Sequence, residues 1–165
     1  MKKLLPTLML LPVMAFAADN PDESFFETAA QGGLAEVEMG KLAQEKGQSK
    51  AVKDFGAMMV KDHTAANEKL KALATKKGVD LPKSPSVAQM ATKTKLQVLT
   101  GDTFDKSYVK TMVDDHEEDI KAFEKEANSG KDPEAKALAA ATLPTLRMHL
   151  KHIKDVAATT GVKLD

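Results

Sequence analysis

Four histidines carry most of the chemistry open to this chain: His63, His116, His149 and His152. Two of them close near-identical pentapeptides, Met59-Val60-Lys61-Asp62-His63 and Met112-Val113-Asp114-Asp115-His116. Imidazole offers a neutral nitrogen and a carboxylate offers charge compensation. Histidines gathered with Glu36 and Asp119 would therefore suit a divalent metal. Met59, Met112 and Met148 lie close to histidines, and thioether with imidazole would suit copper. The same residues also read as plain core. Methionine fills irregular gaps, and a histidine on an apolar face is commonly a hydrogen-bonded core residue.

Other chemistries are poorly represented. The chain has no cysteine, so it offers neither a thiolate ligand nor a thiol nucleophile. It has no Gly-x-Ser-x-Gly elbow and no glycine loop built to cradle phosphate. The di-iron bundle signature, Glu-x-x-His, is also missing. Val60, Val113 and Leu146 stand three residues before His63, His116 and His149. That argues against a ferroxidase or oxygenase, and the balance leans away from an enzyme.

The first residues have the pattern of an export signal. Lys2-Lys3 is followed by an apolar run from Leu4 to Met14, then Ala15-Phe16-Ala17. Pro6 and Pro12 and the short length suit a membrane-spanning helix poorly. Residues 1–17 are read as a signal peptide and 18–165 as a single exported, periplasmic domain. Without Lys2 and Lys3 the chain carries 22 basic and 24 acidic residues, a net charge near −2. That is no footprint for nucleic acid, and no later stretch is apolar enough to span a bilayer. Protein partners in the envelope are not specified by any motif.

The elements that must position the histidines are helices. Alanine, leucine, lysine and glutamate dominate, and apolar residues recur at spacings of three and four. Helices are expected over about 21–46, 50–77, 85–99, 103–128 and 133–160. Asn20-Pro21, Ser84-Pro85 and Asp132-Pro133 supply N-cap and proline pairs. Gly47, Gly78, Gly101, Gly130 and Gly161 follow the periodic stretches as C-cap glycines would. The first helix carries Gly32, Gly33 and Gly40, each costing about 1 kcal/mol against alanine. A close-packed partner helix or a bulky site is the natural compensation. Pro144 should kink the last helix.

A repeat relates the two halves. Gly47 matches Gly130, and Gly78-Val79-Asp80-Leu81 matches Gly161-Val162-Lys163-Leu164, at one offset of 83 residues. Glu36 then corresponds to Asp119. Two helical hairpins joined by a long connection, with a short helix inside it, predict an all-α, ferritin-like four-helix bundle; a simple up-down bundle is the alternative. Measured from the hairpin turns, His63, His116 and His149 differ in depth by at most about 8 Å. His152 lies nearer the edge of its apolar face. Asp62 and Asp115 read as surface acids with lysine partners.

Four stretches together resemble a known family. They are Gly32-Gly33-Leu34-Ala35-Glu36-Val37-Glu38-Met39-Gly40-Lys41-Leu42-Ala43 and Met59-Val60-Lys61-Asp62-His63-Thr64-Ala65-Ala66-Asn67. The others are Phe104-Asp105-x-x-Tyr108 leading to Met112-Val113-Asp114-Asp115-His116, and Leu143-Pro144-x-Leu146-x-x-His149-Leu150. The combination is similar to the exported bacterial domain of unknown function 4142, often labelled "predicted outer membrane protein". The resemblance implies a ferritin-like bundle outside the cytoplasm and strengthens Glu36, Glu38, His63, His116 and His149 as candidates. It implies no reaction. The functional expectation is an exported bundle that binds a metal ion or small ligand; the alternative is a structural or interaction module without metal.

Overall fold

The computed structural model describes residues 22–164. The expected signal peptide and the Asn20-Pro21 cap lie outside the described residues. Five helices follow in order: α1 (Glu23–Lys46), α2 (Lys50–Lys77), α3 (Val87–Gln97), α4 (Gly101–Ser129) and α5 (Pro133–Thr160). No strand occurs among the described residues.

Contacts between the helix ends settle the topology. The start of α1 meets the end of α4, where the Asp22 carboxylate accepts hydrogen bonds from the backbone N–H groups of Lys131 and Asp132. The opposite ends meet where Asp105 of α4 accepts from the N–H groups of Gln48 and Ser49. Lys77 closes α2 against the start of α5 through Asp132 at 2.5 Å and Glu134 at 2.8 Å. Thus α1 and α5 run one way and α2 and α4 the other. This is the up-down-down-up bundle with a long crossover, which carries α3 across α1 and α4.

Local signals explain where the helices begin and end, with some corrections. Ser49 caps α2 by accepting from the Val52 N–H. Asp132 caps α5, with Pro133 in the first turn as expected. The crossover helix starts later than the Ser84-Pro85 pair suggests. Ser86 forms a reciprocal capping box with Gln89, and this satisfies two donors at once. Only Gly78 and Gly161 are left-handed C-caps; Gly101 has a positive φ but opens α4. Pro144 lies inside α5, which runs on as one helix through Thr160.

The glycines of α1 are explained by what faces them. At the crossing of α1 and α2, a Cβ on Gly40 would stand 2.7 Å from the Gly56 carbonyl, and one on Gly56 would stand 2.6 Å from the Gly40 carbonyl. A Cβ on Gly33 would overlap the Asn67 amide, and one on Gly32 would press on Asp119. The two helix backbones approach too closely for any side chain at that crossing.

The core falls into two apolar clusters. One fills the end where α1 meets α2, around Met39, Phe55, Met59, Phe104, Tyr108, Met112 and Ile153. The other fills the opposite end, around Phe25, Phe26, Leu70, Ala135 and Ala139. Between them lies a polar layer: His63 of α2, His116 of α4, His149 of α5 and Glu36 of α1.

Candidate metal centre

Each of the four long helices contributes one member of the polar layer. Helical periodicity turns His63 inward with Met59 and Leu70, His116 with Met112, and His149 with Leu146 and Ile153. His63 is 5 % exposed, His116 0 % and His149 1 %. Their ring centroids are 5.7 Å apart for His63 and His116, 5.3 Å for His63 and His149, and 5.4 Å for His116 and His149. One nitrogen from each ring lies within 4.8 Å of the others, which makes the three a candidate ligand set for one metal ion.

The two nitrogens of each ring have different roles. His116 Nδ1 donates to the Met112 carbonyl oxygen at 2.8 Å. A carbonyl only accepts, so the proton of the neutral ring sits on Nδ1. His149 Nε2 meets Asp62 Oδ2 at 3.0 Å. His63 Nδ1 faces Glu36 Oε2 at 2.7 Å. The remaining nitrogens, His63 Nε2, His116 Nε2 and His149 Nδ1, are buried without a hydrogen-bond partner. Metal-ligating histidines are usually built this way, one nitrogen anchored by a carboxylate or carbonyl and the other presented to the ion. A buried polar atom with no partner costs about 1–3 kcal/mol. Three such atoms on three mutually close rings are therefore a standing cost that a shared cation would relieve.

The electrostatics keep the imidazoles neutral. Burial lowers the pKa of all three, and it outweighs the opposing pull of Asp119 on His63, of Glu36 on His116 and of Asp62 on His149. Neutral imidazole is the metal-binding form. The carboxylates shift the other way. Burial pushes Glu36 up to about 7 despite the nearby His116. Burial, reinforced by Asp119, Glu118 and Asp114, pushes Asp115 to about 7. Asp119 is raised well above its usual range, first by burial and then by Glu36. Glu36 and Asp119 lie close enough to share a proton between them.

The expected site residues divide into two sets. His63, His116 and His149 converge. Glu36 joins them as a neighbour of two rings, with Oε1 also 3.4 Å from His116 Nδ1. Asp119 is not a member of the converging set; it is hydrogen-bonded to Glu36, and its charge also acts on His63. Glu38 points away and pairs with Lys93 of α3 at 2.7 Å. His152 is exposed and edges against Phe55 with ring centroids 5.6 Å apart. Met59 and Met112 are packed in the core, and Met148 is 48 % exposed.

Asp62 is the correction of most consequence. It was expected at the surface with a lysine, and it instead orients His149 across the bundle. A signal for it existed. The residue before an inward-facing one on α2 is rotated by about 100°, toward whichever helix flanks α2 on that side. In this topology that helix is α5.

Comparisons with known proteins agree with this architecture. The family described as "Domain of unknown function (DUF4142)" matches residues 11–156. The chain belongs to that family. No curated protein matches it. Among solved structures, this DUF4142 chain is similar to a DUF305 fragment from Deinococcus radiodurans, with 14 % identity, a TM-score of 0.75, and coverage of 86 % of this chain and 98 % of that one. It is similar to a DUF305 protein from Streptomyces coelicolor, with 15 % identity, a TM-score of 0.72 and coverage of 90 % and 99 %. It is also similar to CopM in its Cu(I)-bound form, with 15 % identity, a TM-score of 0.69 and coverage of 84 % and 96 %. At such identities the likeness is one of fold.

Proposed function

We propose that this protein binds one d10 metal ion, Cu(I) in the first instance, through His63, His116 and His149, in a compartment outside the cytoplasm. The observation that carries the reading is the pairing within each ring. One nitrogen is anchored, the other is buried and unpartnered, and the three rings face one another. Three neutral nitrogens give a low-coordinate site that suits Cu(I), and with a fourth, exogenous ligand they suit Zn(II). Glu36 and Asp62 supply negative charge just behind the ligands, which would offset a buried cation.

Three further observations support copper and export. A structural neighbour of the same fold, CopM, has been captured with Cu(I) and with Ag. The first seventeen residues have the pattern of a leader. No helix among the described residues is long and apolar enough to cross a membrane.

The test is a titration of the purified protein with Ag(I), a redox-inert stand-in for Cu(I), and separately with Zn(II), followed by calorimetry and elemental analysis. One equivalent is expected, with binding weakened at least about tenfold by His149→Ala or His116→Gln. Less than about 0.1 equivalent of any metal, with no rise in melting temperature, would leave the polar layer as an internal structural feature and sink the proposal. A strong preference for Zn(II) over Ag(I) would keep the site and replace the metal.

A further inference from the structure

The three histidines are buried, so an ion can reach them only if one side of the bundle opens. Four seams separate the long helices at the height of the histidine layer, and they are closed to different degrees. Between α1 and α2 the backbones meet at Gly40 and Gly56, and the Asn67 amide fills the space over Gly33. These contacts lie about one turn to either side of Glu36. Between α1 and α4, Glu36 is hydrogen-bonded to Asp119, and α3 lies across the outside with Gln89 near Gly32. Between α4 and α5, ion pairs join Arg147 to Glu124 at 2.8 Å and Lys154 to Glu117 at 2.7 Å, on either side of His149 along α5.

The seam between α2 and α5 differs. At this height it is bridged by the Asp62–His149 hydrogen bond, 3.0 Å long, and by the edge contact of Phe55 with His152. The Asp62 side chain is 27 % exposed, whereas that of Glu36 is 2 % exposed and the bond from His116 to the Met112 carbonyl is buried. Asp62 is thus the ring anchor that touches solvent. It forms no ion pair with a lysine or arginine among the described residues. Ion pairs do cross this seam, from Lys76 and Lys77 to Asp132 and Glu134, but they lie at the end of α2, about 20 Å away along the helix. Met148 and His152 are exposed and lie within about 100° of His149 on one side of α5. The contact of His152 with Phe55 turns that side toward α2.

We propose that the α2–α5 seam is the entrance to the histidine layer, with the Asp62–His149 hydrogen bond as its latch. This entrance presupposes the histidine centre described above. When the bond breaks, His149 is the ring free to swing toward solvent, because the anchors of the other two are sealed in the core. An incoming cation meets the Asp62 carboxylate first, with Met148 and His152 on the rim beside it. Exchange then needs a local opening of one seam rather than unfolding of the bundle.

Two measurements test the entrance, and the first needs no metal. The purified, chelator-treated protein is exposed briefly to diethyl pyrocarbonate, which acylates neutral imidazole, and the labelled peptides are mapped under single-hit conditions. His152 should react first because it is exposed. Among the buried rings His149 should follow, at least about tenfold faster than His63 or His116, and Asp62→Asn should speed His149 alone. The second measurement times Ag(I) uptake by quenching with excess chelator at successive times and counting the retained metal. Met148→Lys adds one positive charge at this seam. Glu118→Gln removes one negative charge on the α1–α4 side, an equal change in net charge. At low salt Met148→Lys should slow uptake at least about threefold more than Glu118→Gln, and added salt should shrink the difference. The proposal is overturned if His63 or His116 is labelled as fast as His149, or if Asp62→Asn leaves His149 labelling unchanged. It is equally overturned if Glu118→Gln slows uptake as much as Met148→Lys. If no Ag(I) is retained, the histidine centre itself fails as a metal site, and the labelling order still decides whether this seam is the one that opens.

Discussion

The α1–α2 hairpin and the α4–α5 hairpin are built on one frame and differ where the chemistry lies. At the offset of 83 residues, Asp22 corresponds to Asp105, Gly47 to Gly130, Ser49 to Asp132 and Gly78 to Gly161. The first pair is reciprocal in space: Asp22 clamps the turn of the second hairpin, and Asp105 clamps the turn of the first. The middle of the repeat is not shared. His63 faces the position of Leu146 in the other copy, His116 that of Gly33, and His149 that of Ala66. The packing differs as well. Gly40 and Gly56 let the first hairpin close backbone to backbone, where the second has Phe123 and Ala139. The ends of the hairpins therefore carry the fold, and departures from the repeat at mid-height carry the candidate site.

The tight crossing should be the most sensitive point. Gly56→Ala forces a Cβ to within 2.8 Å of the Ala43 Cβ and against the Gly40 carbonyl. A loss of about 3 kcal/mol is expected in urea unfolding, larger than for Ala139→Gly in the matching place on α5. Equal losses would mean that the two hairpins pack alike.

Making the halves alike at mid-height should remove the metal response and spare the fold. In the parent protein, Ag(I) at about a hundred times its dissociation constant adds about 2.7 kcal/mol of stability. His63→Leu, which copies Leu146, and His149→Ala, which copies Ala66, should each abolish most of that gain. Thermal melts with and without Ag(I) check it. Without metal, His63→Leu should be close to neutral, because it also removes an unpartnered buried nitrogen.

The two aspartate clamps sharpen the comparison further. Asp105→Ala leaves the Gln48 and Ser49 N–H groups without their acceptor. Asp22→Ala does the same to Lys131 and Asp132. Each should cost about 2 kcal/mol, since charge-assisted bonds to backbone donors are among the stronger ones. A large difference between the two would show that the frame is symmetric in geometry but not in energy.

The smallest effect concerns Glu36 and its counterpart Asp119. Burial raises both, Glu36 to about 7, so between the usual carboxylate range and about pH 7 the folded chain holds protons that the unfolded chain has released. Stability then falls as pH rises through about 7. The buried histidines, whose pKa values are lowered, act below about pH 6.5 in the opposite sense, losing stability as pH falls. In chelator, the change in stability between pH 6.5 and pH 9 should differ between the parent and Glu36→Gln by on the order of 1 kcal/mol, the parent losing more as pH rises, because the histidine contribution is common to both.

Much of the fold was legible because its determinants are local. The spacing of Phe55, Met59, His63 and Leu70 defines one face of a helix whatever surrounds it. Asp132-Pro133 marks the start of α5 with no help from the rest of the chain. Even the three inward histidines could be named, since their neighbours one turn away are apolar. Asp62 could not be placed, because its partner lies 87 residues away on a helix whose side of the bundle depends on the crossover. Glu38 was likewise open until α3 set Lys93 beside it.

The sequence by itself determined an all-helical chain of two related hairpins, their limits, and which histidines face inward, because hydrogen bonding and periodicity within a helix are short-range. Only the tertiary structure decided which nitrogen of each imidazole is anchored and which is left without a partner. Only it left Asp119 out of the converging ligand set and paired it with Glu36, and only it turned Asp22 and Asp105 into clamps across the bundle. Those outcomes depend on the rotation and register of one helix against another, which many weak packing contacts choose together.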